Sequence, residues 1–303
     1  MVSSEQKKHS YKLKKFLFPL YPVNVLRSTK TLTTLAILIS LRIIFNLFSI
    51  PIPGITQTIS FSWVPLMVIG WYFGPVLGFF IGWITDTLCY LIFTSGLWFW
   101  MYSIQEPCVC VIAGIFGSIC RLRSNEKCNI VLDILIQQII YIIFSSICYI
   151  SLILWLSPNN NASTVDDYMV NAYKYTALVL ITVFMVVMEY VTFYQVLVNK
   201  NNHTHLVLFI YGTCLVVLLM EIFSFLLGPI STLEYYKYMH NGRTPSSERF
   251  LKYGTIIYLI PRVIVQCVKT PLESFLLVGI VWSLNPSFTN ILNNLNNKWE
   301  IKN

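Results

Sequence analysis

Eight ionisable side chains interrupt otherwise apolar stretches of this chain: Arg42, Asp86, Asp133, Glu189, Glu221, Arg262, Lys269 and Glu273. Asp86 is the sharpest of them. No charged residue lies between Arg42 and Asp86, and the segment from Phe61 to Tyr90 is two apolar runs folded about Gly74-Pro75. An ionisable group at such depth needs a partner or a wet cavity, which makes Asp86 the first pointer to a site. For Arg42, Asp86 and Arg262, ligand contact and structural ion pairing are both open. Asp133 and Glu189 fall near expected helix ends, where a structural role suffices. Lys269 and Glu273 are four residues apart, a spacing that suits an internal salt bridge.

A second group of residues is aromatic. The stretch TSGLWFWMYSIQEP (94–107) gathers Trp98, Phe99, Trp100 and Tyr102 beside Ser103, Gln105 and Glu106. Rings in this density form either a membrane-interface belt or a flat stacking wall for a heterocyclic ligand. Other chemistries lack their residues. There is no GxxxxGK phosphate loop, no HExxH and no GxSxG elbow. His203 and His205 sit in an Asn-rich turn without further metal ligands, and no nucleophile and base are paired. The eight cysteines have no metal-type spacing and read as small apolar packing residues. Neither a metal, a cofactor nor an enzymatic activity is expected.

The elements that position these residues must lie in a bilayer. The chain has 303 residues, of which 56% are hydrophobic and only 11% charged, with mean hydropathy +0.66. That leaves too little polar surface for a soluble globule. Apolar runs near or above the roughly 20 residues needed to cross a membrane predict helices rather than barrel strands. We place them at 31–50, 60–73, 75–93, 103–120, 130–156, 174–198, 205–228 and 256–284, giving an all-α integral membrane protein.

The net charge of +8 sits in short segments between apolar runs, which excludes a nucleic-acid-binding stripe and instead fits the positive-inside rule. Lys7, Lys8, Lys12, Lys14, Lys15, Arg27 and Lys30 predict a cytoplasmic N-terminus, and eight crossings return the C-terminus to the same side. The exception is the loop 229–255, expected outside, which carries Lys237, Arg243, Arg249 and Lys252 with Glu234 and Glu248. Gly70, Gly74, Gly78 and Gly82 form a small-residue ladder for close helix packing, and Ala36 with Ser40 makes a shorter version.

The combined pattern resembles the S component, the substrate-binding membrane subunit, of an energy-coupling factor vitamin transporter, closest to the folate-type group. The residues carrying it are LRIIFNLFSI (41–50), ISFSWVPLMVIGWYFGPVLGFFIGWITDTLCYL (59–91), TSG (94–96), the Gly114 to Gly117 helix end and IPRVIVQCVKTPLESFLL (260–277). The aromatic-Pro-Gly segment common in that family is replaced by Trp100-Met101-Tyr102, and its polar pair on the penultimate helix is replaced by Leu219-Met220-Glu221. The resemblance implies six core transmembrane helices, so that 121–204 becomes an inserted two-helix hairpin. The remaining parts are a basic N-terminal segment (1–30), helices one to four (31–120), the last two core helices (205–284) and a tail (285–303).

The same resemblance implies a folate-like vitamin captured outside the cell at the plasma membrane. Substrate-binding residues would be Arg42, Phe61, Asp86, Trp98, Trp100 and Arg262. Ala36 and Ser40 would meet a transmembrane coupling subunit, which works with two cytoplasmic ATPases. Three alternatives stand beside this reading: an S component for another vitamin, a partner-independent secondary transporter with Asp86 and Glu221 carrying protons, and a lipid-directed membrane enzyme, which would need a carboxylate or histidine cluster that the chain lacks.

Overall fold

The computed structural model describes residues 17, 19, 28–51, 58–93, 97–125, 130–156, 164–199, 202–245 and 256–300. Apart from a two-residue antiparallel pairing of β1 (Ile50–Pro51) with β2 (Thr58–Ile59), the described secondary structure is helical. The helices are α1 (Thr29–Leu47), α2 (Trp63–Phe73), α3 (Pro75–Phe93), the short α4 (Trp100–Ser103), α5 (Gln105–Asn125), α6 (Ile130–Leu156), α7 (Thr164–Val198), α8 (His203–Leu219), α9 (Leu227–Met239) and α10 (Ile256–Glu300). Among the described residues seven segments are long and apolar enough to cross a membrane. The protein is an all-α, multi-pass membrane protein.

The apolar face turned outward fits that setting. Phe80, Trp83 and Leu91 on α3, Ile139 and Ile153 on α6, and Val186 and Phe193 on α7 are all more than half exposed, an arrangement that lipid tails rather than water satisfy. The α2 helix is the opposite case. Its 11 residues rise only about 16 Å at 1.5 Å each, about half the hydrocarbon thickness. Every residue after Trp63 is buried, so the protein, not the lipid, covers its ends.

Close backbone contact explains how α2 can be so enclosed. The elbow between α2 and α3 is Gly74, whose φ of +86° a side chain would strain, followed by Pro75 opening α3. The elbow packs on α5 with no room for side chains between. A methyl group at Gly70 would strike the Cys110 carbonyl, one at Gly114 the backbone of Gly74 and Pro75, and one at Gly117 the Trp71 carbonyl. The glycine ladder therefore closes on a helix of the same chain. Gly114→Ala is expected to destabilise the protein by about 1–3 kcal/mol, the usual cost of overpacking, read as a lowered midpoint of thermal unfolding in detergent.

Around this elbow, α8 packs on α5, α6 and α10, while α6 and α7 pack on each other and against α8 and α10. The α1 helix packs on α2 and leaves Ala36 and Ser40 exposed.

The helical segment from α8 runs further than the sequence suggests. Residues Met220–Leu226 form a wide π turn and α9 then continues to Met239, so the expected loop over 229–255 begins as helix. Pro229 has no N–H to give the carbonyl four residues back, and the wide turn that absorbs this mismatch lies directly upstream. The α7 and α10 helices are also longer than expected, α10 passing through Pro261, Pro271 and Pro286. Lys7, Lys8, Lys12, Lys14, Lys15, Arg27, the 94–96 TSG sequence, Lys200, Glu248, Arg249 and Lys252 lie outside the described residues.

Candidate ligand-binding site

At the end of the bundle where α3 finishes and α5 starts, Asp86 and Tyr90 of α3, Leu97, Trp98 and Phe99 of the connecting segment, Tyr102 and Ser103 of α4 and Tyr235 of α9 line a cavity of about 280 Å³. This lies just below the usual range of ligand sites, about 300 to 1,000 Å³. Three of the rings brace one another edge to face: Phe99 and Tyr102 are 5.8 Å apart, and Tyr235 lies 5.6 Å from each. The Leu97 N–H donates to the Tyr235 hydroxyl at 3.3 Å, which ties the 97–99 segment to α9.

The rings leave one ionisable carboxyl group in the wall, Asp86, which is half-buried. The Ser103 hydroxyl donates to its Oδ2. Arg42 of α1 gives its hydrogen bond elsewhere: Nη2 donates to Oε1 of Glu106 at the start of α5. Arg42 and Glu106 are only 5% and 6% exposed. Among the described residues, Arg42 Nε and Nη1 and Glu106 Oε2 find no hydrogen-bond partner.

Of the six expected substrate residues, the cavity brings together two, Asp86 and Trp98. Arg42 is held by Glu106 instead of lining the wall. Trp100 is 58% exposed and outside the lining, since the first turn of α4 points it away while Tyr102 points in. Phe61 packs against the core at the entry to α2. Arg262 stands one residue behind the wall: its Nη2 donates to Thr232 Oγ1 at 2.9 Å, and the Tyr102 hydroxyl reaches the same oxygen at 3.5 Å.

From Arg262 a polar seam runs along α10. Gln266, Lys269, Thr270 and Glu273 recur at helical spacing and are all buried. Gln266 Nε2 donates to Ser224 Oγ at 3.1 Å in the π turn. Lys269 Nζ lies 3.3 Å from Glu273 Oε1 and 5.5 Å from the centre of the Trp63 ring, which itself meets Phe223 edge-on at 5.9 Å. The four-residue spacing of Lys269 and Glu273 thus makes the ion pair expected of it. Asp133 and Glu189 are also bonded within the bundle: Arg123 Nη2 and the Tyr211 hydroxyl donate to Asp133 Oδ1 at 2.7 and 2.9 Å, and Gln138 donates to Glu189 at 3.0 Å.

Sequence reasoning did not select Tyr90, Phe99, Tyr102, Ser103 or Tyr235 as binding residues. The ring-rich stretch 98–102 carried a signal for three of these five, since Ser103 adjoins it. Tyr235 carried none, because the loop expected at its position turns out to be α9.

Comparison with known proteins agrees with this architecture. The chain is 34% identical over 278 residues to the uncharacterized protein MG313 of Mycoplasma genitalium, covering 88% of this chain and 94% of that protein. The MG313 homolog of Mycoplasma pneumoniae is 31% identical over 293 residues, 94% of this chain and 100% of its own length. A family model described as ECF-type riboflavin transporter, S component, matches residues 26–190, from the approach to α1 through most of α7. That match takes in more than half of the sequence, and on it the chain belongs to the family of ECF-type riboflavin transporter S components.

Proposed function

We propose that this protein is the vitamin-capturing subunit of an energy-coupling factor importer, taking a flat heterocyclic vitamin of the riboflavin or folate kind. The observation that carries this reading is the cavity itself: a ring-lined recess with one carboxyl group, at one end of a lipid-facing bundle. Aromatic walls recognise flat rings by stacking and edge contacts, and few polar groups then fix the orientation. The family description names riboflavin; the folate-type resemblance rests on the sequence blocks around 59–91 and 260–277.

In this reading the cavity opens outside the cell, both termini lie in the cytoplasm, and α6 with α7 is an added hairpin beside the core. The exposed face of α1, with Ala36 and Ser40, meets a transmembrane coupling subunit, and two ATPases bound to that subunit supply the energy. The S component binds tightly in one state and must bind weakly in the other for net delivery.

The test is reconstitution into vesicles. The protein alone is expected to bind a vitamin without accumulating it, and accumulation is expected only when the coupling subunit and ATPases are added with ATP. Mass spectrometry of protein purified from its own membrane should find a heterocyclic vitamin and the coupling subunit. Sustained uptake by the protein alone, driven by a pH gradient, would overturn this assignment in favour of proton-coupled transport. Within the cavity, Phe99→Ala is expected to weaken vitamin binding by about tenfold or more, since it removes the ring that braces both Tyr102 and Tyr235 and loses about 0.5–1.5 kcal/mol per ring pair.

A further inference from the structure

We propose that Arg262 is a positioning residue that latches α9 in place as a wall of the cavity, with the π turn at Met220–Leu226 as the joint about which α9 swings when ligand enters or leaves. This rests on the capture reading above and goes further by naming the wall that moves and the group that holds it shut.

The helices on either side of the π turn are held very differently. Twelve of the 17 residues of α8 are buried, against three of the 13 in α9, and those three, Gly228, Pro229 and Ser231, all lie near its start. Segments with few buried residues open at lower cost than the core. The joint is equally yielding: the helix there has left the four-residue pairing, and Pro229 has no N–H with which to resume it. Beyond Ser231, α9 meets the rest of the wall through long contacts. The Leu97 N–H reaches the Tyr235 hydroxyl at 3.3 Å, the Tyr102 hydroxyl reaches Thr232 Oγ1 at 3.5 Å, and Phe99 lies 5.6 and 5.7 Å from the rings of Tyr235 and Tyr238. Both hydrogen bonds exceed the common upper length of about 3.2 Å.

One short bond stands against these. Arg262 Nη2 donates to Thr232 Oγ1 at 2.9 Å, while the Thr232 hydroxyl donates its own hydrogen to the Gly228 carbonyl at 2.8 Å, which leaves the oxygen as an acceptor for the guanidinium. The same guanidinium lies against Gly228, where a methyl group would come within 2.6 Å of Nη1. Arg262 therefore touches α9 at two points one turn apart, and a hydrogen bond from a charged donor is of the strong kind. Its footing is firm, since one turn along α10 Gln266 Nε2 donates to Ser224 Oγ at 3.1 Å and pins the π turn to α10. Arg262 is not among the residues lining the cavity, so it acts on a ligand through Thr232 and α9. The bond joins protein to protein and asks nothing of the ligand, so it holds the wall equally in the free and the bound protein.

A latch of this kind slows entry and release by the same factor and spares the equilibrium, whereas loss of a ligand contact speeds release alone. Stopped-flow quenching of tryptophan fluorescence by riboflavin separates the two, with the full-length protein in nanodiscs and Trp98 in the wall as the reporter. Arg262→Met, apolar and similar in length but without a donor, is expected to raise both rates about tenfold or more, the scale of a hydrogen bond to a charged group, and to change Kd by about threefold or less. Thr232→Val should do the same, and the double variant should add little to either. Faster release with a matching loss of affinity in Arg262→Met, or rates that stay at their wild-type values, would overturn the proposal. If Arg262→Met does not fold, Thr232→Val decides, since it alters one hydroxyl at a half-buried position. Hydrogen exchange read by mass spectrometry needs no vitamin: in ligand-free protein either variant should speed exchange of the α9 amides about tenfold or more while those of α8 keep their wild-type rates. Unchanged α9 exchange sinks the latch only; failure of the wild type to bind riboflavin or any other heterocycle sinks the capture reading beneath it and leaves the latch to the exchange result.

Discussion

Arg42→Ala is expected to lower the stability of the protein by about 3–5 kcal/mol, the cost of stranding one partner of a buried ion pair. Glu106 is only 6% exposed and its Oε2 already lacks a hydrogen-bond partner among the described residues. Removing the guanidinium leaves a carboxylate with neither water nor counter-charge, and it must either protonate or pull the start of α5 away from α1. The same physics makes the double variant informative. Replacing both residues with apolar ones of similar size, as in Arg42→Met with Glu106→Leu, removes the two charges together, and such exchanges of buried pairs are often neutral or stabilising. Thermal unfolding of the single and double variants should therefore show strong coupling between the two positions. Ligand binding separates the two roles that the sequence leaves open for Arg42. If it serves the fold, the double variant recovers both stability and vitamin affinity to within a few-fold. A double variant that is stable yet no longer binds would return Arg42 to the ligand.

That the sequence could not decide this follows from where the partner sits. Arg42 and Glu106 are 64 residues apart, and nothing local in α1 or α5 signals that the two helices bring these side chains together. The apolar runs and the Gly74-Pro75 elbow make α1, α2 and α3 legible, because hydropathy and a helix-breaking dipeptide are local properties. The aromatic stretch is legible as a cluster for the same reason. Which rings turn inward is not: Trp98 and Tyr102 line the cavity while Trp100 faces out, a choice set by the single turn of α4 and by Tyr235 arriving from the other end of the chain. The continuation of α8 through a π turn into α9 was hidden as well. Gly228-Pro229 reads as a helix stop, yet the chain absorbs the missing N–H by widening one turn, and only that continuation brings Thr232 and Tyr235 to the site.

Lys269→Met provides the second large effect, and the contrast between spacing and burial explains its size. On an exposed helix, an oppositely charged pair at this spacing is worth about 0.2–0.5 kcal/mol, and less when lysine precedes glutamate, as here. In this bundle Glu273 is 0% exposed, Lys269 is 8% exposed, and neither oxygen of Glu273 has a hydrogen-bond partner among the described residues beyond the ammonium 3.3 Å away. Loss of Lys269 is thus expected to cost about 3–5 kcal/mol, an order of magnitude above the exposed-helix value, seen as a marked fall in the unfolding midpoint. Glu273→Gln should cost less. It leaves a neutral amide in place of the carboxylate, and the lysine keeps the Trp63 ring at 5.5 Å, a contact worth about 2 kcal/mol where water is excluded. The order Lys269→Met worse than Glu273→Gln is the diagnostic, since it requires the stranded group to be a carboxylate in a dry bundle. Equal and small losses would mean that water reaches this seam, and the polar stripe from Arg262 to Glu273 would then be a wet extension of the cavity instead of a sealed strut beneath it.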